Sequence, residues 1–268
     1  YQKGYDYSTA LLQANPSNFT AQRYQFMNAA QIKDMQDKLL PMAEALMAAK
    51  KSNPDNKFAP IDYILIASEF NNAKRPQEAE QVLKEAIQEM PDNREFYKQL
   101  AMTYVEENNL SKASEAYEGY IKNSEKPGYN DFIQQATFAF YAGVENKAND
   151  PATAEKYYAM AQDYANKAAE ILPDNYKPKK FEGDIAMQKA TEENVASVAV
   201  PYYTEAIKLL EASKDPSRYA ADAKLMYNYM GNYYLDQKDV ENAKVYFNKY
   251  LELDPNNEQY RKFVEGLK

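Results

Sequence analysis

The chain is punctuated at regular intervals. Pro54-Asp55-Asn56, Pro91-Asp92-Asn93, Pro173-Asp174-Asn175 and Pro255-Asn256-Asn257 repeat one phrase. Looser versions stand at Pro16-Ser17-Asn18, Pro127-Gly128-Tyr129-Asn130 and Pro216-Ser217-Arg218. Each separates two amphipathic stretches. Proline cannot continue a helix, and Asp, Asn or Ser accepts the free N–H groups at the start of the next one. From proline to proline the spacings are 38, 37, 36, 46, 43 and 39 residues. A chain broken this often into pairs of helices does not build one central core. It stacks hairpins, each burying its apolar face against its neighbours.

Composition supports helices throughout. Only 7 of 268 residues are Gly, while Ala, Glu, Lys and Gln are abundant, and alternating β-branched runs are missing. The net charge of −8 argues against nucleic acid and anionic lipid, both of which call for clustered Lys and Arg, and points to a neutral or basic partner. The absence of Cys excludes disulfides and thiolate metal sites. The absence of His removes the usual general base and the usual metal ligand. No cofactor is expected.

No apolar run approaches the ~20 residues of a membrane span. The most apolar patches, 61–67 and 138–144, are far shorter. The chain begins with Tyr1 rather than Met, and an upstream segment, a signal peptide included, is expected. With the lack of Cys and the Asn-, Tyr- and Lys-heavy composition, this points to a bacterial periplasm or cell envelope, with the cytoplasm as the alternative.

The punctuation divides residues 1–268 into a single array. An orphan helix at 1–15 precedes hairpins at 17–52, 57–91, 94–124, 129–172, 176–213 and 218–254, and a capping helix spans 257–267. The first hairpin pairs 19–33, with Tyr24, Met27 and Ile32 inward, with 37–51, where Pro41 is tolerable only near the first turn. The next pairs are 59–72 with 76–90, and 94–108 with 111–124, the latter N-capped by Ser111. Then come 130–146 with 150–172, opened by Asp150-Pro151, and 179–191 with 194–213, where Pro201 predicts a kink or a late start. The last pair is 218–237 with 240–253.

Three hairpins share one internal pattern. The last reads Tyr227, Met230, Gly231, Tyr234, Ala243, Phe247, Tyr250, Pro255. The second reads Tyr63, Ile66, Ala67, Phe70, Ala79, Leu83, Ala86, Pro91, and the third Tyr97, Leu100, Ala101, Tyr104, Ala113, Tyr117, Tyr120, with its proline delayed to Pro127. Small residues let the paired helices approach, and the large ones fill the seams. This pattern resembles the tetratricopeptide repeat, convincingly over 59–268 and loosely over 1–56. The resemblance implies an all-α fold, a right-handed α-solenoid of helix-turn-helix repeats with a C-terminal capping helix. The fourth hairpin departs from it by about 13 extra residues, or 1–2 additional turns per helix at ~3.6 residues per turn. The fifth also runs long.

The same resemblance implies a non-enzymatic scaffold that binds a protein or peptide in a concave groove lined by the first helix of each pair. Carried over residue by residue, the groove positions are Ile64, Ser68 and Asn71, then Lys98 and Met102, then Ile133, Thr137, Phe140 and Tyr141. Asp184, flanked by Lys180 and Gln188, and Asn228 with Asn232 complete the set. Phe140 and Tyr141 are the anchor candidates, unless the elongated helix buries them. The Lys and Asn set with which some members clamp a peptide carboxylate is absent, since Ile64, Ser68, Lys98 and Met102 occupy its places.

Two other functions stand as alternatives. A carbohydrate-binding, uptake-associated envelope protein also fits helical repeats, but the chain has no Trp for sugar stacking. A hydrolase needs converging carboxylates, whereas Glu106-Glu107 and Glu192-Glu193 are adjacent on a helix and diverge by about 100°. The basic run Lys177-Pro178-Lys179-Lys180 reads as a solvated helix entrance.

Overall fold

A computed structural model describes residues 1–215 and 217–268 in full, with Pro216 described in backbone only. Every element is helical among the described residues. Packing divides the chain into two compact units, Tyr1–Glu125 and Lys126–Lys268, where the sequence pattern treats 1–268 as one array.

The first unit holds α1 (Gln2–Ala14), α2 (Phe19–Ala29), a short 3-10 turn (Lys33–Met35), α3 (Gln36–Ser52), α4 (Pro60–Asn72), α5 (Pro76–Glu89), α6 (Arg94–Glu106) and α7 (Leu110–Lys122). The second holds α8 (Tyr129–Asn146), α9 (Pro151–Ile171), α10 (Lys177–Gln188), α11 (Val200–Glu211), a 3-10 turn (Pro216–Tyr219), α12 (Ala220–Asp236), α13 (Val240–Leu253) and α14 (Glu258–Glu265). In each unit consecutive helices pack pairwise, and the first helix of one hairpin also touches the first helix of the next, as α4 does α6 and α8 does α10.

The punctuation works through its Asn and Asp side chains. Asn18, Asn93, Asp150 and Asn257 each accept a backbone N–H from the first turn of α2, α6, α9 and α14, at 3.0, 3.2, 3.0 and 3.1 Å. Pro60, Pro76 and Pro151 occupy first-turn positions, where the missing N–H costs nothing. Pro201 also sits in the first turn of α11, so the helix starts late and is not kinked.

The turns inside the three in-phase hairpins are alike. Lys74, Asn108 and Lys238 adopt φ of 59°, 55° and 59°, and the next residue donates its N–H back to Phe70, Tyr104 and Tyr234. This closure satisfies the helix-ending carbonyls and reverses the chain in three residues.

The cores are small and aromatic. Ala67, Ala79, Ala101, Ala113 and Ala243 are buried, as the repeat pattern requires, and Tyr63, Phe96, Tyr158, Tyr176 and Phe247 fill the seams around them. Tyrosine hydroxyls donate to carboxylates, Tyr63 to Glu89, Tyr104 to Glu80, Tyr176 to Asp222, Tyr203 to Asp184 and Tyr227 to Glu211. A lysine is salt-bridged to each of these carboxylates, namely Lys50, Lys84, Lys180 twice and Lys249. These rings end in satisfied polar groups, which explains their use of Tyr where Phe would otherwise serve, whereas the buried hydroxyls of Tyr129 and Tyr158 have no hydrogen-bond partner among the described residues.

Several expectations change. Tyr24 is 55% exposed and Phe26 is the buried ring of α2, because the helix is rotated relative to the 19–33 reading and ends four residues early. Asn109, not Ser111, caps α7, with its side chain accepting from Lys112 N at 3.0 Å. Pro41 lies inside α3, past the first turn. The fourth hairpin is long in its helices, with 18 residues in α8 and 21 in α9. The fifth is not: α10 and α11 have 12 residues each, and the excess is in the connection 189–199. Tyr229 pins that connection, its hydroxyl donating to Val195 O at 3.0 Å and accepting from Ala199 N at 3.1 Å.

Candidate functional site: a groove across the second unit

Helices α8, α10 and α12, the first helices of three successive hairpins, line a continuous depression in the second unit. It has two lobes. The smaller, about 200 Å³, is bounded by Ile133, Thr137, Phe140 and Tyr141 of α8, by Lys177, Lys180, Phe181 and Asp184 of α10, and by Asp222 of α12. The larger, about 450 Å³, shares Phe140, Tyr141, Lys180 and Asp184 and continues past Met187 and Tyr203 to Leu225, Asn228, Tyr229 and Asn232. The shared residues form a ridge between the lobes.

Helix periodicity places these side chains. Ile133, Thr137 and Phe140 recur at three and four residues along α8, as do Lys177, Lys180 and Asp184 along α10, and Leu225, Asn228 and Asn232 along α12. The extra length of α8 carries Phe140 and Tyr141 well into the helix. Phe140 is 8% exposed and packs on Ala139, Ala154, Tyr158, Ala161 and Ile185, so it is the floor of the groove and not a free anchor. Tyr141 stands edge-on to it at 5.2 Å and is half-exposed. Leu225 is also half-exposed, and Tyr229 meets Tyr203 edge-on at 5.1 Å.

The charged part of the ridge is a closed network. Lys180 Nζ lies 2.6 Å from Asp184 Oδ2 and 3.6 Å from Asp222 Oδ1. The Tyr203 hydroxyl donates to the other oxygen of Asp184 at 2.8 Å, and the Tyr176 hydroxyl to the other oxygen of Asp222 at 2.5 Å. Burial alone would lower the affinity of Lys180 for its proton, but Asp184, with Asp222 behind it, outweighs this and holds the ammonium above its usual range. Burial, reinforced by Asp184 for Tyr203 and by Asp222 for Tyr176, pushes both phenols well above the usual value.

Of the residues expected to line a groove, Ile133, Thr137, Phe140, Tyr141, Asp184, Asn228 and Asn232 share this depression. Ile64, Ser68, Asn71, Lys98 and Met102 lie in the first unit, all half-buried. Asn71 there is committed to Thr103 at 2.9 Å, and Lys98 Nζ lies 5.6 Å from the Tyr120 ring. The basic run at 177–180 is not solvated as expected. Pro178 is buried, and the Lys180 side chain is only 16% exposed because two carboxylates draw it inward. The i, i+4 spacing of Lys180 and Asp184 was visible in the sequence, whereas Asp222, 42 residues away from Lys180, gave no local signal.

The groove also holds a carboxylate pair that sequence adjacency could not reveal. Asp184 and Asp222 share one ammonium and so stand well within the ~10 Å that glycoside hydrolysis requires. Each is tied to a tyrosine hydroxyl and to Lys180, which leaves neither free to protonate a leaving group. Among the described residues no helix is long and apolar enough to cross a membrane, and no cluster of His, Cys, Asp or Glu is arranged to hold a metal ion.

Models of the tetratricopeptide repeat match residues 72–135 and 225–257. No curated protein matches the sequence. Among solved structures, the C-terminal part of a TPR repeat-containing protein from Cytophaga hutchinsonii superposes with a TM-score of 0.73 at 17% identity, covering 100% of this chain and 95% of that one. YrrB, described as a TPR protein with an unusual peptide-binding site, gives a TM-score of 0.50 at 16% identity over 83% of this chain and 99% of its own. MamA from Desulfovibrio magneticus RS-1 also gives 0.50, at 14% identity over 73% of this chain and 94% of its own. Tetratricopeptide repeats therefore lie at 72–135 and 225–257, and the chain has the all-helical solenoid fold of these structures.

Proposed function

We propose that this chain is a non-enzymatic interaction scaffold that binds a peptide segment of a protein partner in the groove of α8, α10 and α12. The observation that carries this reading is the exposure of Tyr141 and Leu225, which line the larger lobe together with Lys180 and Asp184. Apolar side chains left in a concave, polar-rimmed site are what a partner buries, and aromatic anchors dominate such interfaces. YrrB, whose description includes a peptide-binding site, lends the reading support from a similar fold.

The direct test is selection of a displayed random heptapeptide library on the immobilised protein, repeated on the double variant Tyr141→Ala, Leu225→Ala. Clones that bind the parent and are lost from the variant support the groove. Clones retained equally by both would place binding elsewhere. Phe140→Ala is unsuited to this purpose because it empties the core of the fourth hairpin.

A bacterial origin and a place in the cell envelope belong to the same proposal. They rest on the absence of Cys, which suits an oxidising compartment, and fractionation of the source cells tests them. A glycan array tests the carbohydrate reading, which the half-exposed Tyr141 in the same lobe as the Asn228 and Asn232 amides supports.

A further inference from the structure

The charges of the groove cancel. Its lining cations are Lys177 and Lys180, and its lining anions are Asp184 and Asp222, so it is a neutral site on a protein of net charge −8. Phe140, Tyr141, Phe181 and Tyr203 line the same lobes as the two carboxylates, and aromatic rings with carboxylates make a good receptor for a guest ammonium or guanidinium. Here the cation is already present. Lys180, 16% exposed, bridges Asp184 and Asp222, the former 14% exposed, and occupies the place such a guest would take.

Resting on the peptide-groove reading above, we infer that the groove accepts an uncharged extended segment, with an apolar or aromatic side chain seated against Tyr141, Leu225 and Tyr229, and that Lys180 excludes basic segments. A basic side chain entering the ridge meets Lys180 in a partly desolvated site. It must bear that repulsion or displace the lysine from both partners, and either is costly. An acidic side chain meets Asp184 and Asp222 with their donors already engaged. An uncharged segment faces neither penalty. Asn228 and Asn232 suit its backbone: Asn228 accepts from Tyr260 and Asn232 donates to Asn228 O, which leaves one amide donor and one amide acceptor unpaired among the described residues. The neutral-or-basic partner read from net charge is thereby narrowed to a neutral one.

The experiment is the same displayed heptapeptide selection, run in parallel on the wild type, Lys180→Met and Asp222→Asn, with Tyr141→Ala, Leu225→Ala defining which clones depend on the groove. On the wild type, groove-dependent clones should carry Lys, Arg, Asp and Glu at or below their frequency in the library. Lys180→Met leaves two carboxylates without their cation and should enrich Lys and Arg about fivefold. Asp222→Asn should shift the selection toward Asp and Glu. Circular dichroism establishes that each variant is folded, and if Lys180→Met does not fold, Asp222→Asn alone decides. Groove-dependent wild-type clones rich in Lys and Arg, or an unchanged selection on the folded variants, would overturn the inference while leaving the groove intact. Wild-type clones indifferent to the Tyr141 and Leu225 substitutions would instead overturn the groove reading, and this inference with it.

Discussion

Gly231 presents bare backbone to the ring of Phe247, so closely that a Cβ at position 231 would stand 2.3 Å from Cε1. Phe247, on α13, is fully buried and packs against Tyr260 and Val264 of α14. The same contact joins Gly143 to Tyr158 and Gly183 to Tyr203, so each hairpin of the second unit closes on a glycine facing an aromatic ring. Gly231→Ala should therefore destabilise the protein by about 1–3 kcal/mol, despite the better helix propensity of Ala. Urea unfolding measures it, and a midpoint equal to or above the parent's would show that the seam is not close-packed.

The left-handed residues of the hairpin turns predict the opposite sign. Lys238 holds φ of 59°, a conformation that costs a non-glycine residue about 1–2 kcal/mol. Lys238→Gly relieves that strain at the expense of chain entropy and should raise stability by about 0.5 kcal/mol. Lys98→Gly, inside α6, should lower it by about 1 kcal/mol. Paired denaturation curves check both signs.

In the first unit, Arg23 of α2 reaches Asp62 of α4. Its Nε donates to Oδ2 at 2.7 Å, and the same oxygen accepts Ala59 N at 2.7 Å. Asp62 is wholly buried. Removing the guanidinium leaves a buried carboxylate with one donor, and Arg23→Met should cost about 3 kcal/mol. A loss below about 1 kcal/mol in thermal unfolding would show that water replaces the arginine freely.

The Lys50 network sets a pH window for that unit. The hydrogen bond from Lys50, with one from Tyr63, lowers the Glu89 pKa despite burial. Burial works against the Lys50 ammonium, but Glu85 and Glu89 overcome it and raise its pKa. A carboxylate with a depressed folded pKa adds stability above its unfolded value, and this is lost as pH falls through the folded one. A lysine with a raised folded pKa adds stability below its unfolded value, lost as pH rises through the folded one. The contribution should hold between about pH 4 and 10. Glu89→Gln should be less stable than the parent across that range, and the gap should close below about pH 4. A constant gap down to pH 3 would contradict the assignment.

The sequence disclosed the fold through features that act locally. Proline and Asx residues mark helix ends by their own chemistry, so the hairpins at Pro54, Pro91 and Pro255 were readable without tertiary information. The resemblance to the tetratricopeptide repeat, carried over position by position, also located Ile133, Thr137, Phe140 and Tyr141 on α8. The failures share a cause. That Phe140 would be the groove's floor depends on Ile185, 45 residues later, and that Lys180 would be drawn inward depends on Asp222. The surplus length of the fifth hairpin lies in 189–199 because Tyr229, 30 residues beyond Ala199, offers its hydroxyl to that connection. Such pairings are properties of packing, and no window of sequence contains both partners.

Ligand binding is expected between α8, α10 and α12. It is tested most directly by recording amide NMR shifts of the full chain while titrating a heptapeptide selected on it. The largest shifts should fall at Thr137, Tyr141, Asp184, Asn228 and Asn232, with the first unit largely unperturbed. Shifts concentrated at Ile64, Ser68, Lys98 and Met102, with the second unit silent, would contradict it.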